Sequence, residues 1–191
     1  MKTLYNQHDY RFMDSVIGGH HLKCYAATVE VCESNGAGET ISHNITNSNM
    51  GSVDSVNQDP VANPVVPGAN TYEKFQRLHV TDMGGSSSIQ NLKIWRTGAL
   101  GGSAVHLSNV KTSAYAGAPT YATPVATDSS LAINTMPSSV PASANLGIGG
   151  ALAGNLTAAG YSDYLVHQIQ TDAGDVAGST STMNYQYDEV A

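Results

Sequence analysis

Apolar and polar side chains alternate with a period of two through much of this chain. No stretch keeps a helical period for more than two turns. Residues 22–33 open the series. Tyr25, Ala27, Val29 and Val31 form the apolar set and are expected to face a core, with Cys24, Ala26, Thr28, Glu30 and Cys32 behind them. The run at 34–39 (SNGAGE) is a turn, and Ile41, His43 and Ile45 mark a second strand. Residues 72–82 alternate again, but Phe75 falls out of phase with Leu78 and Val80, which predicts a bulge or twist near Gln76. Residues 88–97 carry Ile89, Leu92 and Ile94 on one face after a second slip, and Trp95 on the other. Residues 104–110 form a short strand.

The end of the chain is strongly patterned. Over 163–171, Tyr164, Val166, Gln168 and Gln170 share one face, and Leu165, His167, Ile169 and Thr171 the other. Over 180–188, Met183, Tyr185 and Tyr187 share a face. Short alternating strands separated by Gly-rich turns predict an all-β protein, an antiparallel β-sandwich or jelly roll with long loops. The domain reading is an N-terminal arm over 1–21, ending near Gly18-Gly19, and one sandwich domain over 22–191. That domain holds a long loop at 46–71, where Pro60, Pro64 and Pro67 exclude a helix. A loop of that length is expected to be functional or ordered by a neighbour. Residues 111–160 offer only sparse anchors (Tyr115, Tyr121, Val125, Leu131, Ile133). The Gly-rich 147–160 stretch reads as loop and edge because glycine destabilises a helix.

Composition narrows the function classes. Only 12% of the residues are charged, and the net charge is −7. The densest basic stretch, Lys93 to Arg96, is too small to neutralise a phosphate backbone or dock on an anionic membrane, so neither nucleic acid nor membrane is an expected partner. No apolar run has the length of a membrane span. The opening residues turn polar after Lys2 and are not read as a signal peptide, so the expected compartment is a cytoplasm. On that view the sequons at Asn44 and Asn155 are chance matches. Cys24 and Cys32, eight residues apart in one extended segment, would be separated by roughly 26 Å at about 3.3 Å per residue. They are read as reduced, half-buried core residues rather than a disulfide.

The chain has no GxxxxGK[ST] loop and no GxSxG elbow. Adjacent His20 and His21, near Asp14, would point to opposite faces of a strand and chelate poorly. His79, His106 and His167 each lie in a strand-like segment and read as hydrogen-bonded spacers. Asn57 and Asp59 sit in a carbonyl-rich loop but lack the spacing of a calcium loop. Glu30 with Glu39, or Asp188 with Glu189, are the carboxylate pairs a glycosidase would need, and nothing separates them from solvated strand ends. The expectation is therefore no catalytic, cofactor-binding or metal residue, no cofactor, and no enzyme. Ten tyrosines stand beside two phenylalanines. Tyr115, Tyr121, Tyr161, Tyr185 and Tyr187 are candidates for either interface contacts or core filling.

A likeness to known proteins adds a specific expectation. Phe75, Leu78 and Val80, a Gly/Ser turn, then Ile89, Asn91, Leu92, Lys93, Ile94 and Trp95 form a pattern within 72–96. The closing segments end in Tyr187, Asp188 and Glu189. Together these resemble a family of tailed-bacteriophage virion structural proteins with a β-sandwich fold. The likeness covers about a third of the chain and carries no catalytic signature. It implies an accessory virion protein, assembled in the host bacterial cytoplasm, homo-oligomeric, and bound to the major capsid protein or other virion proteins. The first expectation is a capsid decoration or cement protein that stabilises the head by adhesion, with residues 1–19 and 46–71 as contact segments. Alternatives are a neck, tail or baseplate component, or a carbohydrate-binding module using Trp95 or Tyr121.

Overall fold

A computed structural model describes residues 2–4, 15–17, 20–22, 26–35, 38–111, 135–175, 178 and 180–191. Among them there is no helix, and the all-β expectation holds. Twelve strands are formed: β1 (Lys2–Leu4), β2 (Ser15–Ile17), β3 (His20–Leu22), β4 (Thr28–Asn35), β5 (Thr40–Ser42), β6 (Lys74–Asp82), β7 (Ser88–Thr97), β8 (Val105–Lys111), β9 (Asn155–Leu156), β10 (Gly160–Tyr161), β11 (Tyr164–Gln170) and β12 (Thr182–Val190). All pairings are antiparallel. One sheet runs β1-β12-β7-β9 and another β5-β4-β6-β11-β8, with β10 also on β6. The strands β2 and β3 form a separate hairpin. Cys24, Tyr25, Gly18-Gly19 and the sparse anchors Tyr115, Tyr121, Val125, Leu131 and Ile133 lie outside the described residues.

The two larger sheets share one core. Leu78 and Val80 of β6, Val110 of β8 and Leu165 of β11 meet Ile89, Leu92 and Ile94 of β7 and Tyr185 and Tyr187 of β12. Ala27, Val29 and Val31 pack against that cluster, as the alternation predicted, and Met183 joins them. Tyr185 and Tyr187 are thus core fillers. The same parity that buries Val29 and Val31 carries on to Glu33, which is also buried. Periodicity alone cannot anticipate a charged residue at a core position.

Two irregularities of phase have different origins. The slip in β7 is real: Gln90 and Lys93 pair with Asp188 and Gln186, so two residues of β7 oppose one of β12. Asn91 absorbs the extra residue with a left-handed backbone (φ 54°), and its side-chain amide donates to Asp188 Oδ2 at 2.8 Å. This β-bulge turns both Ile89 and Leu92 inward. The bulge expected near Gln76 is absent. β6 pairs with β4 without interruption from Phe75 to Val80, and the shift falls instead between Thr28 and Val29 of β4, opposite the Val80–Asp82 end. Phe75 is out of phase because it belongs to the other face of the sheet, where it packs with Tyr164 and Val166. Asn91→Gly should therefore be tolerated. Asn91→Val should lose about 1–2 kcal/mol in urea unfolding, because a β-branched residue is strained at positive φ; equal midpoints for the two variants would contradict the bulge.

The strand expected at Ile41, His43 and Ile45 stops at Ser42. Asn44 takes a left-handed conformation (φ 49°) and breaks the extended run. The chain returns to β4 through a hydrogen bond from Ile45 N to Val31 O.

The long loop that follows is held by the chain itself. The Glu33 carboxylate accepts from Lys74 Nζ at 3.1 Å, Gln76 Nε2 at 3.2 Å and the Asn57 backbone N–H at 3.3 Å, and also from the Ser48 hydroxyl. Lys74 donates as well to the Ser55 carbonyl. The far end of the loop joins β11, where Thr71 N donates to Ile169 O and Gln168 Nε2 to Thr71 O. Close packing at Gly51 completes it, since a Cβ there would overlap the Gln58 amide and the Asn63 carbonyl.

Candidate functional site

Strand geometry places a group of metal-ligating side chains on the face of the β5-β4-β6-β11-β8 sheet opposite the shared core. Glu30 and Cys32 are two residues apart on β4 and so point the same way. His79 of β6 pairs directly across from Glu30, and Arg77 across from Cys32. His43 follows Ser42, which pairs with Glu33, so the register of β5 on β4 carries it alongside Cys32 before the left-handed Asn44 ends the extended run. One ligand atom from each of Glu30, Cys32, His43 and His79 lies within 4.8 Å of all the others.

The four groups centre on one oxygen. Glu30 Oε1 accepts from His79 Nδ1 at 2.7 Å and from His43 Nδ1 at 2.8 Å. A carboxylate can only accept, so both rings carry their proton on Nδ1 in this arrangement. The Cys32 thiol lies 3.5 Å from the same oxygen and 3.3 Å from His43 Nδ1. Burial pushes the Glu30 carboxyl up, but hydrogen bonds from His79, His43 and Cys32 outweigh it and hold the group below its ordinary value. Burial, followed by the neighbouring Glu30 charge, pushes the Cys32 thiol up to about 12.

Aromatic and cationic neighbours fix one side. The His79 ring stacks on Tyr161 with centroids 4.0 Å apart and planes 10° from parallel. The Arg77 guanidinium lies 3.9 Å from the Tyr161 centroid and 4.5 Å from that of Tyr164. Tyr164 in turn donates to Glu39 at 2.7 Å. The exposed side is His43, whose side chain is half accessible, whereas Cys32 is fully buried.

The residues singled out from sequence are distributed differently. Cys32 is a free thiol, buried on the face away from the core rather than half-buried within it. His106 and His167 bond to each other at 2.8 Å across β8 and β11, inside the protein. Asp59 caps a turn, accepting from Val61 N and Ala62 N, and Asn57 supports Glu33. Asp188 binds Asn91, and Glu189 binds Ser86 at 3.1 Å. His20 and His21 pair with Ile17 and Val16 in the β2–β3 hairpin, and Asp14 lies outside the described residues. Trp95 is only 7% exposed and offers no open platform for a sugar ring. Glu30, Cys32, His43 and His79 each figured in the sequence pattern, but never as a group. The Glu-x-Cys spacing on one strand face was the available signal, and it has no meaning until β6 is set in register beside it.

No protein family, curated protein or solved structure matches the chain.

Proposed function

We propose that this chain is a structural protein of a tailed-phage virion that works by adhesion, placed on the head as a decoration protein against the major capsid protein. The observation that carries it is the placement of β1. Three residues of the N-terminal arm lie as an edge strand along β12, with Lys2 opposite Tyr187, Thr3 opposite Gln186 and Leu4 opposite Tyr185. A strand added to a sheet edge is held by main-chain hydrogen bonds, which do not depend on which chain supplies it. The arm of a neighbouring copy fits the same edge as the chain's own, and exchange of such arms links copies on a lattice.

Three further features support this. The pattern at 72–96 and the closing strands resemble virion β-sandwich proteins. Two antiparallel sheets that share one core present broad faces suited to contact. The 46–71 loop, held rigidly from within by Glu33 and Lys74, meets a partner without a large ordering cost.

Quantitative protein analysis of purified particles tests the proposal. Hundreds of copies per virion are expected. A copy number of six, twelve or a few dozen would move the protein to the neck or tail, and its absence from particles would refute a virion role. A variant lacking residues 1–21 should remain folded but fail to rebind particles stripped of the protein; full rebinding would remove the arm from the mechanism.

A further inference from the structure

We propose that Glu30, Cys32, His43 and His79 form a binding site for zinc or a similar borderline-soft divalent cation, which ties β4, β6 and the turn after β5 together. It is independent of the virion proposal and stands on different residues.

The donor set selects the metal. Two imidazoles and a thiol are a poor environment for calcium or magnesium, which take oxygen ligands, and a good one for zinc. A single carboxylate completes four ligands, and four protein ligands describe a closed, structural site rather than one with a position left for substrate.

Geometry fits as well. Tetrahedral zinc with nitrogen and oxygen ligands at about 2.0–2.1 Å has ligand-to-ligand edges of about 3.3 Å. Here the two imidazole-to-carboxylate edges are 2.7 and 2.8 Å, the thiol-to-imidazole edge is 3.3 Å and the thiol-to-carboxylate edge 3.5 Å. The shortest edges need to open by only about half an ångström to admit the ion.

Every ligand but one is held in place. Glu30, Cys32 and His79 sit on paired strands, and the stack of Tyr161 under His79 fixes that ring as an outer partner of a ligand does. His43, on the exposed turn, is the ligand that closes over the ion. On coordination each imidazole moves its proton from Nδ1 to Nε2, the thiol proton passes to solvent, and no electron is transferred. Three segments then become cross-linked, with ligands as far as 49 residues apart in sequence.

Cobalt(II), a spectroscopic stand-in for zinc, tests this on the untagged full-length chain. One equivalent is expected to bind, with the visible bands of a tetrahedral ion and a near-ultraviolet thiolate-to-cobalt band. Zinc should displace it and raise the thermal midpoint. Cys32→Ser should abolish the thiolate band although Cys24 remains. His43→Ala, at an exposed turn where the fold is not at risk, should weaken zinc affinity at least tenfold with an unchanged circular dichroism spectrum. A double His20→Ala, His21→Ala variant should bind as the native chain does. A thiolate band that survives C32S, an affinity unchanged in H43A, binding lost only in the His20/His21 variant, or no stoichiometric binding at all would each overturn the assignment.

Discussion

Lys74→Met is expected to lower folding stability by about 3–5 kcal/mol, the cost of leaving one member of a buried ion pair without its partner. Lys74 and Glu33 are among the most deeply buried side chains described, and both are essentially inaccessible to water. Methionine matches the lysine in length but leaves the Glu33 carboxylate facing Gln76, Ser48 and the Asn57 N–H alone. Adding Glu33→Gln to Lys74→Met should recover at least half of the loss, because the uncompensated charge is then gone. Urea unfolding of the single and double variants measures both effects. A loss below about 1 kcal/mol for the single variant would mean that water reaches the pair. Since Lys74 and Glu33 also hold Ser55, Ser48 and Asn57, limited proteolysis of the single variant should cut first within 46–71.

Mild acid is expected to destabilise the protein through His106 and His167. Burial, then the charge of His167 and of Arg96, pushes His106 far below its ordinary value. Burial, then the charge of Lys74, does the same to His167. The folded values lie below the unfolded value of 6.5, so between them the unfolded chain binds more protons. The contribution of each neutral histidine is complete above pH 6.5 and is lost as the pH falls toward the folded values. Each should remove up to about 1.4 kcal/mol per pH unit, or roughly 2 kcal/mol by pH 5. Unfolding free energies measured from pH 7 to 5 should show this slope in the native chain and a flatter one in a His106→Gln, His167→Gln variant. Parallel slopes would show that the pair ionises without unfolding the protein.

Both effects arise at one end of the shared core. Glu33, Lys74, Gln76 and His167 occupy inward positions on β4, β6 and β11 that Leu78, Val80 and Leu165 occupy further along. Tyr185 reaches into this polar end, donating to Gln76 Oε1 at 2.6 Å. The core is thus apolar at one end and charged at the other, and the loop is docked on the charged end.

The alternation of side chains was enough to establish an all-β chain, the spans of β6, β7, β11 and β12 to within a few residues, the inward set Ala27, Val29 and Val31, and the sharing of one face by Ile89, Leu92 and Ile94 and of another by Met183, Tyr185 and Tyr187. Those are local properties: extended backbone sends neighbours to opposite faces, and apolar residues mark the buried one. The face of Phe75, the inward placement of Glu33 and Lys74, the His106–His167 pair and the meeting of Glu30, Cys32, His43 and His79 were decided by the tertiary structure alone. Each depends on which strands become neighbours and in what register, including the β4–β5 pairing that carries His43 alongside Cys32. Cross-strand distance is set by hydrogen-bonded pairing between segments far apart in sequence, and a residue's own neighbours in the chain carry no record of it.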